Sequence, residues 1–270
     1  MSQLIQSLDS QARPGLSLSR LQRHAPAVFA DHRFEKTSPN YVFISTRDLV
    51  DALMQAGFAP TDAQQRRSKG DRAGFAKHMI RFRHATESVR IVDCMPEVIL
   101  INSHDSSSSF QLRGGLYRFA CSNGLIISLA EFGVIRVPHR GNVLADVVEG
   151  AARITQQFAG IGQVIEQMAR TELSTAERSE FAEKALQLRF RNREHLPFCA
   201  AELLTVRRPE DEGHDLWHTF NVIQGNVIQG GIAGRSARGR ATVSRKVGSI
   251  PENVRLNVEL WQQAMALVRA

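Results

Sequence analysis

Residues 75–84 read FAKHMIRFRH, residues 89–101 read VRIVDCMPEVILI and residues 110–121 read FQLRGGLYRFAC, and these three runs decide the fold class. Each is of strand length and rich in β-branched and aromatic residues, and the connections are short and polar, which predicts consecutive antiparallel strands. In the first run Lys77, Met79, Arg81 and Arg83 alternate with His78, Ile80 and Phe82. Successive strand side chains point to opposite sides, so one face is expected to be cationic and the other apolar. Pro96 predicts a break in the second strand, and Gly114-Gly115 predicts a bulge in the third.

Downstream, Ser122-Asn123-Gly124 is a hairpin turn into a strand at Leu125-Ile126-Ile127, and a further strand, Val134 to Val137, stops at Pro138. From Asn142 to Thr171 the apolar residues Leu144, Val147, Val148, Ala151, Ile154, Phe158, Ile161, Ile165 and Met168 recur at steps of three and four, which predicts a long amphipathic helix. Gly160 and Gly162 would permit a kink or a close helix contact there. Ser174 with Glu177 forms a capping box for a second helix to about Arg189. Shorter helical pieces follow at Phe198–Thr205 and His214–Gln224. A Gly/Arg segment then runs from Gly230 to Arg245, and a last helix from Pro251 to Arg269 has proline in its first turn.

Upstream, residues 1–40 read as an arm, and Tyr41-Val42-Phe43-Ile44 as a short strand. Ser45-Thr46 caps a helix from Arg47 to Ala56 that ends at Gly57, and Asp62 to Asp71 reads as a loop or hairpin tip. The order is a small antiparallel β-sheet, a long amphipathic helix and a helical C-terminal region, an α+β fold. The expected divisions are an N-terminal arm over 1–40, a sheet-plus-helix core over 41–172 and a helical region over 173–270.

The 270 residues carry a formal net charge of +7 and a pI near 9.9. That favours an anionic partner without choosing among DNA, RNA, an acidic protein and an anionic lipid. Cys94, Cys121 and Cys199 are odd in number with no CxxC pair, and read as reduced thiols. The first residues lack the basic and apolar segments of a secretory signal, and no window nears the roughly 20 apolar residues of a membrane span. A cytoplasmic chain with no membrane partner is expected. With no Walker A loop, GxSxG elbow, GxGxxG before a helix or metal-ligand spacing, no cofactor and no metal are expected.

Two segments concentrate the charge. One is the strand with Lys77, Arg81 and Arg83, preceded by Arg66, Arg67, Lys69 and Arg72, and it reads either as a surface that tracks phosphates or as an ordinary solvated sheet face. The other carries Arg235, Arg238, Arg240, Arg245 and Lys246 among glycines, with no acidic residue from Gly230 to Val247. Such a segment binds a nucleic-acid backbone well, holds its own shape poorly and is expected to be mobile without a partner; the competing reading is a linker made soluble by arginine. The rings of Phe75, Phe82, Phe110, Tyr117 and Phe119 fall in the same region and serve either base stacking or core packing. An alternative enzyme site gathers Asn102, His104, Asp105, Arg118, Cys121 and Asn123, although turns use the same residue types as Asn102-Ser103-His104-Asp105.

From Tyr41 to the C-terminus the chain resembles the phage/plasmid-like proteins, a domain-of-unknown-function family of mobile elements. The resemblance rests on NYVFISTRDLVDALMQAGFAP (40–60), FAKHMIRFRH (75–84), PEVILINSHDSSSSFQLRGGLYRFACSNGLII (96–127), WHTFNVIQGNVIQGG (217–231) and NVRLNVELWQQA (253–264). A Gln-Glu pair is usual in the family where this chain has Gln224-Gly225, so no acidic role carries over to that position. The strand-strand-strand-helix order is also similar, at the level of fold, to Rad-type and RecT-type single-strand annealing proteins. The family resemblance implies a mobile-element context rather than a mechanism; the basic segments together with the fold-level similarity lead to the expectation of a non-enzymatic DNA-binding protein that takes single strands, anneals them during recombination or repair, and assembles as a homo-oligomer. The other expectations are an enzyme acting on nucleic acid or nucleotides through the 102–123 region, and an inhibitor of a host defence protein.

Overall fold

The computed structural model describes residues 15–84, 91, 93–118, 124–126, 143–191 and 196–269. Its helices are α1 (Leu18–His24), α2 (Thr46–Gln55), α3 (Val143–Arg170), α4 (Thr175–Arg189), α5 (Leu216–Gln229) and α6 (Ile250–Met265). Its strands are β1 (Phe58–Gln65), β2 (His78–His84), β3 (Cys94–Asn102), β4 (Gln111–Arg118), β5 (Gly124–Ile126), β6 (Ala233–Arg235) and β7 (Ala241–Val243). The fold is α+β, with a sheet of order β1-β2-β3-β4-β5, whose β1–β4 pairs run antiparallel, and a separate β6–β7 hairpin. Two compact units divide the chain, one of residues 1–119 and 128–158 and one of residues 120–127 and 159–270. The expected strand Val134–Val137 and most of the turn before β5 lie outside the described residues.

In the first unit the sheet departs from the sequence reading at four places. Residues 41–44 lie outside any ladder. The stretch expected to be a loop from Asp62 holds the second half of β1, which pairs with β2 from Phe58↔His84 to Gln65↔His78. Pro60 and the polar run Thr61–Gln65 hide this strand from a propensity reading, but an edge position accepts both, since its outer groups need no partner strand. Pro96 does not break β3. It lies where β3 pairs with β4 alone, opposite Leu116 and beyond the Phe82↔Val98 pair that ends the β2–β3 ladder. No bulge forms at Gly114-Gly115 either, because the register runs unshifted through Val98↔Gly114 and Glu97↔Gly115.

The first unit buries β2 on both faces, with only His84 left partly accessible. Ile80, Phe82, Leu100, Leu112 and Leu116 form its core with Leu49, Val50 and Leu53 of α2. The Ser45 side chain caps α2 by accepting from the Asp48 N–H at 3.2 Å, and Gly57 (φ +87°) ends it. Of the apolar stripe expected on α3, Val147, Ala151, Ile154 and Phe158 are buried in this unit and Ile161, Ile165 and Met168 in the second, whereas Leu144 is exposed and Val148 half-buried.

In the second unit the Ser174–Glu177 capping box opens α4, and Asp215 caps α5 by accepting from the His218 N–H at 3.0 Å. Nearly all of α5 is buried, so packing carries the helix through Gly225 to Gln229, past the expected end at Gln224. A buried hydrogen bond from Gln224 to Asn257 (2.9 Å) joins α5 to α6, and Phe220 lies between Trp217 and Trp261.

The Gly/Arg segment carries the β6–β7 hairpin. Gly230 (φ +71°) leaves α5 in a backbone state that a side chain rarely adopts, and a Cβ there would stand 2.6 Å from the Arg245 carbonyl carbon. Gly230→Ala is therefore expected to cost roughly 1–3 kcal/mol from the backbone conformation alone. Urea denaturation measures this, and an unchanged midpoint would contradict it.

Candidate functional site

Arg81 and Arg83, expected on an open cationic face, are buried at 5% and 7% exposure. The reason is Glu97 on β3, itself 1% exposed, whose carboxylate accepts from Arg81 Nη1 at 2.7 Å and Arg83 Nε at 3.0 Å. The Thr61 hydroxyl donates to the same carboxylate at 3.3 Å, and the Arg83 guanidinium lies 4.2 Å from the Tyr117 ring centroid. Gly115 sits directly opposite Glu97, so the residue facing the carboxylate across the β3–β4 ladder adds no side chain of its own. The strand face is a buried ion-pair network, which corrects the solvated reading.

The cations just before β2 behave differently. Arg66, Arg67, Lys69 and Arg72 are exposed and Lys77 is half-buried. Burial and the neighbouring Arg66 hold the Lys77 ammonium below its usual pKa, against the pull of Asp105. Near them the structure places the ring of Phe75, a stacking candidate from the sequence, together with that of Phe34, which the sequence did not single out. Phe34 and Phe75, both partly exposed, pack with centroids 5.5 Å apart, His32 meets Phe75 edge-on at 5.1 Å, and the Arg72 guanidinium stands 5.3 Å from the Phe34 centroid. The isolated Phe34 in a proline-bearing arm gave no periodic signal.

The turn after β3 holds this patch in place. The His104 carbonyl accepts from the Phe34 N–H and its own N–H donates to the Phe75 carbonyl, both at 2.9 Å. Asp105 closes a turn by accepting from the Ser107 N–H at 3.0 Å, and its other oxygen lies 3.9 Å from Arg72. The Tyr41 hydroxyl donates to the Ser103 carbonyl at 2.7 Å, and burial with nearby Asp105 pushes its pKa up to about 12.

Beneath the turn, His78, His104, Asn102 and Thr46 form a fully buried polar network. His78 Nδ1 faces the Ala76 carbonyl at 3.0 Å, so it carries the proton, and the bare Nε2 accepts from the Thr46 hydroxyl at 2.9 Å. Having spent its one proton, the Thr46 oxygen accepts from Asn102 Nδ2 at 2.9 Å and from His104 Nε2 at 3.1 Å. His104 Nδ1 makes no close hydrogen bond, and the Ala27 carbonyl is the main-chain acceptor nearest the ring. Burial lowers the His78 pKa to about 4; burial, reinforced by His78, lowers that of His104 to about 3. Both imidazoles are neutral struts.

The alternative enzyme constellation does not converge. Asn102 pairs with His78 at one end of β3, whereas Arg118 pairs with Cys94 at the other, eight residues or roughly 26 Å away at about 3.3 Å each. Arg118 is buried and engaged by Asp93, and Cys121 and Asn123 lie outside the described residues. Among the described residues no group of three metal-ligating side chains gathers, and no helix is long and apolar enough to cross a membrane. In the second unit Arg235, Arg238, Arg240, Arg245 and Lys246 are exposed on and beside the hairpin.

A family model described as "Domain of unknown function (DUF932)" matches residues 33–261, a span that includes the patch, the buried network and the hairpin. The chain belongs to this family. Two proteins of Escherichia coli (strain K12), the UPF0380 protein YafZ and the UPF0380 protein YfjQ, are each 38% identical to it over 254 residues, 94% of this chain and 92% of theirs. No solved structure matches this DUF932 chain.

Proposed function

We propose that this DUF932 protein binds single-stranded nucleic acid, DNA in the first instance, and brings complementary strands together in the recombination of a mobile genetic element. The observation that carries the reading is the patch on the first unit. Five cations, Arg66, Arg67, Lys69, Arg72 and Lys77, with Asp71 as the sole acid between them in sequence, lie in the chain on either side of the partly exposed Phe75, and Arg72 stands 5.3 Å from the partly exposed ring of Phe34 that packs on it. Cations neutralise phosphates and ring faces take unpaired bases of any sequence, which is how single strands are held without base-edge readout. Strand annealing asks for no bond chemistry, only relief of backbone repulsion with base edges left free to pair. The exposed hairpin cations Arg238 and Arg240 supply further phosphate contacts in this reading.

Fluorescence anisotropy of a labelled single strand over a salt series tests it. Each phosphate contact contributes about 0.7 to the slope of log affinity against log salt. Arg66→Ala/Arg67→Ala is thus expected to flatten that slope by about 1.4, and Phe34→Ala to weaken binding by roughly 1–3 kcal/mol at any salt. No binding at low salt, or a slope that the double variant leaves unchanged, would reject the proposal.

A further inference from the structure

In the second unit a half-open groove of about 690 Å³ lies between the end of α4 and the β6–β7 hairpin, a volume typical of small-molecule sites. Among the described residues of its lining three are arginines, Arg189, Arg191 and Arg245, and none is acidic. Arg189 is fixed in position, donating to the carbonyls of Val227 (3.2 Å) and Arg245 (3.0 Å). It also lies 5.2 Å from the Phe190 ring, which rests against Phe198 at 4.8 Å. Glu252 and Glu259 stand near these arginines, with Glu259 3.7 Å from Arg191, but both carboxylates are held by Arg255 and neither lines the groove.

The wall beside Phe198 is tied to the hairpin through the main chain. The Arg235 N–H donates to the Pro197 carbonyl at 2.7 Å, and Phe198 bridges to Gly234. A Cβ at Gly234 would fall 2.1 Å from that carbonyl oxygen, so the hairpin seats directly on residues 197–198. The described lining combines these cations with Phe190, Phe198 and Val243.

We propose that this groove is a binding site for a phosphate ester that carries a flat ring, of the size of a nucleotide. Arg191 and Arg245 take the phosphate, Arg189 adds its fixed charge, and the ring lies against the apolar lining. Guanidinium forks match phosphate oxygens, and the apolar part of the lining separates a nucleotide from a bare anion. The site does not depend on the strand-binding patch, and its ligand is either a free nucleotide or the 5′-phosphorylated end of a strand.

Isothermal titration of the whole protein decides this with adenosine 5′-triphosphate, adenosine 5′-monophosphate, adenosine, inorganic phosphate, and a short oligonucleotide with and without a 5′-phosphate. Arg245→Ala and Val243→Trp are the variants; both positions are exposed, and an unchanged urea midpoint verifies their fold. The expected result is saturable binding of a phosphate ester, at least about tenfold weaker for adenosine and for inorganic phosphate, and weakened by about tenfold or more in each variant. Binding by mononucleotides assigns the site to free nucleotides. Binding gained only on 5′-phosphorylation assigns it to strand ends, and running that arm in the Arg66→Ala/Arg67→Ala background removes the contribution of the patch. The proposal is overturned if none of the probes saturates, if inorganic phosphate binds as tightly as the esters, or if both variants leave binding unmoved.

Discussion

Glu97→Ala is expected to destabilise the protein by about 3–5 kcal/mol, the cost of removing one partner from a buried ion pair. The substitution takes away the carboxylate that Arg81 and Arg83 share while leaving both guanidiniums at single-digit exposure. Since whole domains are stable by only about 5–15 kcal/mol, this is a large fraction of the total. Urea denaturation of wild type and variant at one pH gives the difference directly. Arg81→Met/Glu97→Met keeps volume and removes two opposite charges together, so it is expected to cost less than Glu97→Ala alone. If Glu97→Ala costs under about 1 kcal/mol, the range of a surface pair, the network is not a buried ion-pair structure in solution.

The second large effect is on pH. His78 and His104 are buried and neutral, with pKa values lowered to about 4 and about 3 against 6.5 for an exposed imidazole. As pH falls below 6.5 the unfolded chain takes up two protons that the folded chain refuses, so stability drops as acid is added. The limiting slope is about 1.4 kcal/mol per pH unit for each histidine, hence about 3 for the pair. The window runs from pH 6.5 down to about 4, where His78 begins to protonate within the fold; below that only His104 contributes, down to about 3. Unfolding midpoints at pH 7.5, 6.5, 5.5 and 5.0 read the slope before ordinary carboxylates titrate. His104→Asn is expected to remove about half of it, and equal stability at pH 7.5 and 5.0 would show that the imidazoles are not buried as described. Because the His104 main chain bonds to both Phe34 and Phe75, strand binding is expected to fade over the same acid range.

Local chemistry explains which parts of the fold could be read from sequence. The stripe of α3 and the capping box of α4 are properties of residues three or four positions apart, and the sequence displays those spacings directly. The strand β1 escaped because edge position, which the sequence does not state, is what permits Pro60 and a polar run. Four of the five patch cations were legible as exposed charge because they sit in loop and short-helix chain, with Lys77 half-covered. Phe75 was legible as a stacking candidate but Phe34 was not, since it reaches Phe75 across 41 residues of chain.

By itself, then, the sequence determined the α+β class, the long helix, the basic balance and the two segments that concentrate the charge. Tertiary structure decided which of those charges meet solvent. Arg81 and Arg83 alternate along their strand as any exposed cations would, but Glu97 stands 14–16 residues away in the chain and on the next strand. Strand pairing brings them to hydrogen-bond distance, and burial turns a surface motif into an internal one. In the same way His104 and Asp105, residue types that suggest catalysis in one dimension, serve as backbone clamp and turn in three. Sequence spacing fixes which face a side chain takes, whereas burial depends on what the rest of the chain lays over that face.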